Sequence, residues 1–263
     1  MIKIILLALV QGLTEFLPIS SSGHLALLSR WFSASPQSDI GVPAFDFFLA
    51  VFLHGGTLLA TVYYFWPDIR KMVVSLRKPE TEGRNYLKAV IVGSVPVALF
   101  GLLLENRAEK TFGSLTLLPV MFLITSLFLA TAGLKKEGRK ELRPHNAFGV
   151  GLAQLLAILP GISRSGSTIS AGLILGISRE EAFRFSFLLS LPAVAGAFLI
   201  ETVKAFKSGV MVADPLLILG FISSFVAGLF ALRLLRRLVL SGRLVWFSLY
   251  LLLLSVLLLF TGG

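Results

Sequence analysis

The chain has 263 residues, of which 56% are hydrophobic and 14% charged, against about 25% charged in an ordinary soluble domain. Too little polar surface exists to cover the apolar atoms in water, which excludes a soluble enzyme, a disordered tail protein and a nucleic-acid module and marks an integral membrane protein. Lys and Arg outnumber Asp and Glu by 24 to 14, and the absence of cysteine excludes disulfides, thiolate nucleophiles and cysteine-ligated metals.

The chain opens on an apolar stretch, 1–28, without the charged leader and small-residue cleavage site of a signal peptide, so residue 1 is read as part of the working protein. Pro18-Ile19-Ser20-Ser21-Ser22-Gly23 interrupts this stretch near its middle. Apolar windows follow at about 45–66, 86–104 and 115–134, each long enough to cross ~30 Å of hydrocarbon as a helix. A second broken stretch, 147–176, carries Pro160-Gly161-Ile162-Ser163-Arg164-Ser165-Gly166, and three more windows lie at 183–203, 213–233 and 244–261. A Pro/Gly/Ser break frees backbone N–H and C=O groups, which hydrocarbon tolerates only where the segment is buried in protein or lines a wet cavity. The expectation is an all-α polytopic membrane protein with six transmembrane helices and two re-entrant helix–loop–helix elements.

Cationic residues orient these spans, because short cytoplasmic loops carry the excess of Lys and Arg. The connections 67–88, 135–143 and 233–243, with Arg179 and Arg184, place 17 of the 24 cations on one side, six on the other and Arg164 within the second break. The surplus is a cytoplasmic collar, so nucleic acid is not an expected partner.

Sliding the sequence on itself by 143 residues superposes the broken stretches without a gap: Leu9, Gln11, Leu13, Ile19, Ser20, Ser22 and Gly23 fall on Leu152, Gln154, Leu156, Ile162, Ser163, Ser165 and Gly166. The chain thus reads as one membrane domain, 1–263, made of a first repeat, 1–134, and a second, 147–263. The two enter from opposite faces, an inverted-topology arrangement that places a binding site near the membrane midplane.

Gln11 and Glu15 are four apart and share one helical face. A carboxylate inside an apolar stretch is by default a functional group. His24 follows the Ser20-Ser21-Ser22 run and reads equally as structural or catalytic. In the second break Arg164 is the only charged residue of 147–176. With the hydroxyls of Ser163, Ser165 and Thr168 and the N-terminus of the following helix, it describes a phosphate cradle. Arg164 also suits an ion pair with Glu15, and both hold if the two pair when the site is empty. His54, beside Gly55 and Gly56, reads as helix packing; His145, Glu180 and Glu181 read as solvated; no metal-binding spacing occurs.

The runs from Gln11 to His24 and from Pro160 to Thr168 resemble the two signatures of the undecaprenyl-diphosphate phosphatases, the bacitracin-resistance family of bacteria, and length and span layout agree over the whole chain. The resemblance implies an enzyme of the bacterial inner membrane, with an active site open to the outer side, that hydrolyses undecaprenyl diphosphate to the monophosphate carrier lipid of peptidoglycan synthesis. The family's acidic pair falls on Gln11 and Glu15, its Ser-His region on Ser21 and His24, and its phosphate-binding loop on Ser163, Arg164 and Thr168, with Ser165 between them. With these positions the expected mechanism has Arg164 binding the diphosphate and Ser21 or a water attacking, with Glu15 and His24 as the candidate acid–base and metal-binding groups. A divalent cation, Mg or Ca, held by Glu15 and the substrate, is the cofactor considered; the bilayer and the lipid substrate are the partners, and a homodimer is left open. The rival reading is a polyprenyl-phosphate flippase or transporter, because inverted repeats of broken helices also build transporters.

Overall fold

A computed structural model describes residues 1–33, 43–77, 82–112, 115–207 and 215–261. Eleven α-helices fill these segments: α1 (Ile2–Thr14), α2 (Ser21–Ser33), α3 (Pro43–Tyr64), α4 (Trp66–Ser75), α5 (Glu82–Phe112), α6 (Leu118–Gly133), α7 (Pro144–Leu156), α8 (Arg164–Ile174), α9 (Arg179–Lys207), α10 (Pro215–Leu240) and α11 (Val245–Thr261). Among the described residues there is no strand, only an isolated bridge between Lys140 and Ile177. The fold is all-helical. Each of the six apolar windows holds one helix, namely α3, α5, α6, α9, α10 and α11. Among the described residues, Arg179–Lys204 and Pro215–Leu240 are each long and apolar enough to cross a bilayer, and Leu49–Tyr64 joins Trp66–Ser75 across a 68° bend. Large apolar side chains such as Leu99, Phe100, Leu127, Leu199, Phe230 and Leu257 point outward, a surface suited to lipid rather than water.

The helix α4 departs from the sequence reading, which took 67–88 as a connection. Pro67 stands in its first turn, where the missing N–H costs nothing, and Asp68 complements the helix dipole. Met72 and Ser75 turn inward while Arg70 and Lys71 stay exposed. Glu180 and Glu181 also differ from their reading as freely solvated residues. Glu181 accepts from Arg184 Nη1 at 2.8 Å, Arg184 also pairs with Asp68, and Glu180 accepts from Arg236 at 3.1 Å. These pairs tie α9 to α4 and α10 at one end of the bundle.

Both broken stretches form a helix, a turn and a second helix. Ser20 precedes α2 at φ 70°, a left-handed conformation disfavoured for a residue with a Cβ, and its Oγ accepts from Gly23 N at 3.3 Å. Ser163 precedes α8, and its Oγ accepts from Gly166 N at 3.1 Å. Each second helix therefore starts on a serine that satisfies one of its free N–H groups. Each cap also lies beside the serine two residues on, Ser20 Oγ 3.2 Å from Ser22 Oγ and Ser163 Oγ 3.3 Å from Ser165 Oγ.

The helices pack in a crossed pattern, α1 against α10 and α7 against α5, with α3 between α9 and α10. At Gly12 an added Cβ would lie 2.6 Å from Ala227 Cβ, so a larger residue would force α1 off α10. The expectation that His54-Gly55-Gly56 serves packing fits the geometry: the glycines lie against Phe198, Phe221 and Ser224, and His54 Nδ1 bonds to Ala50 O at 2.9 Å. The pair α6 and α11 is joined by reciprocal bonds, Ser126 Oγ to Ser248 O at 2.8 Å and Ser248 Oγ to Ser126 O at 2.9 Å. The core centres on Phe16, Phe65, Phe183 and Phe187, whose rings meet at centroid distances of 5.1 to 5.8 Å. This aromatic cluster forms the floor under the polar site.

Candidate active site

Glu15 follows α1 directly, at the mouth of the first turn. Its Oε1 accepts from Arg164 Nη2 at 3.0 Å, and its Oε2 accepts from Ser21 Oγ at 2.8 Å and from Gln11 Nε2 at 3.3 Å. Arg164, the first residue of α8, lies 149 positions away in sequence. The two side chains are only 14% and 18% exposed, so each charge depends on the other for the solvation it has lost. The guanidinium also lies 5.7 Å over the Phe187 ring, a further cation–π contact. Its Nη1 is buried and has no partner.

The two turns are stitched together around this pair. Gly161 N donates to Ser22 Oγ at 3.3 Å, and Ser165 Oγ donates to Leu17 O at 3.4 Å. Ser163 N donates to Thr125 Oγ1 of α6 at 3.1 Å. Thr168 Oγ1 donates to Arg164 O at 2.8 Å and lies 2.6 Å from Ser186 Oγ of α9. Thr168 thus braces the start of α8 from beneath, while Ser163 and Ser165 shape the turn that presents Arg164.

His24 stands one turn further along α2. Its Nδ1 lies 2.8 Å from Ser20 O and its Nε2 2.7 Å from the Tyr250 hydroxyl of α11. A carbonyl only accepts, so Nδ1 carries the proton and Nε2 is left to accept from the phenol. The Tyr250 ring stacks on the imidazole at 5.8 Å, and Phe122 covers it at 5.5 Å. Gln11, Glu15, Ser21 and Arg164 therefore form one bonded cluster. His24 belongs to the same turn through Ser20 and is held by bonds of its own.

Tyr250 and Thr125 are the functional neighbours that sequence reasoning missed. Tyr250 sits in a Leu-rich span where an aromatic reads as a lipid contact; only its polar tip in so apolar a run could have drawn attention. Thr125 is a buried hydroxyl in another apolar helix, with no local pattern to mark it.

The space beside the ion pair, lined by Thr57, Thr61 and Ser190 among others, is about 10 Å³, room for about one water. A phosphoryl group does not fit in that space as it stands. Among the described residues no group of three His, Cys, Asp or Glu could hold a metal. Gln11 Oε1, however, is buried and unpartnered beside the Glu15 carboxylate. Two protein oxygens with phosphate oxygens completing the shell suit a hard divalent cation.

Comparison with known proteins extends over the whole chain. The family model described as bacitracin resistance protein BacA matches residues 4–257. The chain is 37% identical to an undecaprenyl-diphosphatase of Halothermothrix orenii, covering 99% of this chain and 98% of that one. It is 41% identical to an undecaprenyl-diphosphatase of Desulfosudis oleivorans over 94% and 93%, and 36% identical to one of Thermosipho africanus over 98% and 99%.

Proposed function

The chain belongs to the bacitracin resistance protein BacA family, and from that premise we infer that it hydrolyses undecaprenyl diphosphate to undecaprenyl phosphate and inorganic phosphate. The observation that carries the mechanism is the Glu15–Arg164 pair at the junction of the two turns. The terminal phosphate displaces Glu15 from Arg164 and is held by the two-pronged guanidinium, whose Nη1 is already free, and by the N-terminus of α8. Displacement frees the carboxylate to take the Ser21 proton, along the bond already present at 2.8 Å. Ser21 Oγ attacks the terminal phosphorus, the bridging P–O bond breaks, and undecaprenyl phosphate leaves. Water then attacks the phosphoserine, giving a proton to His24 Nε2 as the imidazole releases the Tyr250 hydroxyl; the P–Oγ bond breaks, Glu15 returns its proton to Ser21 Oγ, and inorganic phosphate leaves. Positioning and electrostatics supply most of the rate, as in other phosphoryl transfers.

Gln11 Oε1 and Glu15 are the residues that would hold Mg or Ca, which would neutralise phosphate charge when bound with the diphosphate. Six helices, α3, α5, α6, α9, α10 and α11, span the bilayer, while α1–α2 and α7–α8 re-enter it from opposite faces as the leading elements of two inverted repeats. The matched serine caps at Ser20 and Ser163 and the crossed packing of α1 on α10 and α7 on α5 support this reading. The cationic connections face the cytoplasm, which leaves the site open to the outer side of the inner membrane. Phosphate release from undecaprenyl diphosphate by detergent-purified protein tests the function. An enzyme turns over without a membrane gradient; a protein that releases no phosphate there does not perform this reaction.

A further inference from the structure

The helix α4 carries two faces of different chemistry. Asp68, Ile69, Met72 and Ser75 recur every three or four residues and turn toward the protein. Asp68 pairs with Arg184 of α9, and Ile69 packs on the core. Gly83 of α5 comes so close that an added Cβ would lie 2.6 Å from Lys71 O. Trp66, Arg70, Val73, Val74 and Arg77 recur at the same spacing on the opposite face and are exposed, Trp66 by 56% and Val73 by 58%. Arg77 lies just past Ser75, where its N–H bonds to Val74 O at 3.2 Å and continues the turn. Lys71 stands exposed beside this face. Among the described residues no carboxylate pairs with Arg70, Lys71 or Arg77, and Asp68, the only acid of α4, is taken by Arg184.

Such a face suits neither water nor hydrocarbon. Water penalises the exposed Trp66, Val73 and Val74, and hydrocarbon penalises the three cations. The headgroup boundary accepts both, with the apolar groups at the acyl edge and the cations among phosphates. The geometry brings α4 to that boundary. The helix α3 has 22 residues, about 33 Å at 1.5 Å per residue, enough by itself to cross ~30 Å of hydrocarbon. The chain then bends by 68° between Tyr64 and Trp66, so α4 leaves the direction of the span where the span ends. Tyr63 and Trp66, both exposed at the bend, are residue types that anchor at a membrane interface. The contacts of Asp68 with α9 and of Lys71 with Gly83 fix α4 from beneath and hold its outer face in one orientation. A face whose charges are all positive is complementary to anionic headgroups and indifferent to zwitterionic ones.

We propose that α4 lies in the plane of the cytoplasmic leaflet and binds anionic lipid headgroups through Arg70, Lys71 and Arg77, with Trp66, Val73 and Val74 seated at the acyl boundary. This surface is separate from the Glu15–Arg164 site and does not depend on the reaction inferred above. Trp31→Phe with Trp246→Phe leaves Trp66 as the single tryptophan. This protein is placed in vesicles of equal phosphatidylcholine and phosphatidylglycerol, with one or the other lipid brominated to quench Trp66 fluorescence. Brominated phosphatidylglycerol is preferred over brominated phosphatidylcholine by at least about fivefold, the factor that one cation contributes near an anionic surface. Adding Arg70→Gln, Lys71→Gln and Arg77→Gln removes the preference, while both lipids still quench Trp66. Equal quenching with the three cations in place, or a preference that survives their loss, overturns the proposal. Trp66 emission that neither lipid quenches also overturns it, since α4 would then lie in water or under another protein. Wild-type protein gives a second reading without substitutions. Photoreactive phosphatidylglycerol labels 66–77, and unlabelled phosphatidylglycerol displaces it where phosphatidylcholine does not. Label only outside 66–77, or equal displacement by the two lipids, overturns the proposal.

Discussion

The turn between α1 and α2 and the turn between α7 and α8 share a scaffold and divide the chemistry. Ser20 and Ser163, at corresponding positions, both cap the following helix through Gly23 and Gly166. Gln11 and Gln154 both stand on the helix before the turn. The next positions diverge: Glu15 against Ile158, Ser21 against Arg164, His24 against Ser167. One turn brings the acid, the Ser21 hydroxyl and the imidazole, and the other brings the guanidinium. A lone charge in the bilayer interior is expensive, and pairing across the turns is what makes both tolerable. The unpartnered amide of Gln154 shows the converse, a polar group left over where the acid has become Ile158.

Breaking the charged side of this comparison has the largest expected effect. Arg164→Ala lowers kcat/KM for undecaprenyl diphosphate by at least ~100-fold in folded protein, by comparison with removing one preorganised donor elsewhere; phosphate release measures it, and near-full activity contradicts the assignment. Tyr250→Phe probes a contact that only one turn has. Loss of one hydrogen bond of about 1 kcal/mol lowers kcat about fivefold. KM and thermal midpoint stay near wild type if Tyr250 positions His24, whereas a fall in the midpoint alone marks a merely structural contact. The smallest effects sharpen the comparison of the two glutamines. Gln11→Leu removes a ligand of Glu15 and slows turnover. Gln154→Leu removes a buried unsatisfied amide and leaves turnover of farnesyl diphosphate unchanged, with stability raised by about 1 kcal/mol; denaturant unfolding and short-substrate kinetics read the pair.

Much of this arrangement is legible in the sequence, for physical reasons. The apolar windows are long and continuous, and each of the six coincides with a helix. Charge inside an apolar run is rare enough to single out Glu15 and Arg164, which the fold brings within 3.0 Å. The helix α4 escaped notice because ten residues of mixed charge and apolar character after a proline read as a loop; the inward spacing of Met72 and Ser75 is too short a pattern to stand alone. Tyr250 reaches His24 from 226 positions away, a separation that no local pattern encodes. Gln154 matched Gln11 in the repeat, yet its isolation depends on Ile158 and on Ser94 of another helix, which only three-dimensional packing brings together.

The central claim, that an acid from one turn and a guanidinium from the other make a single site, is tested most directly by a double-mutant cycle on kcat/KM for undecaprenyl diphosphate with Glu15→Gln, Arg164→Ala and the two combined. If the pair works as a unit, the double variant loses about as much as the worse single variant. Losses that multiply would mean that Glu15 and Arg164 act independently, and the composite site would be wrong.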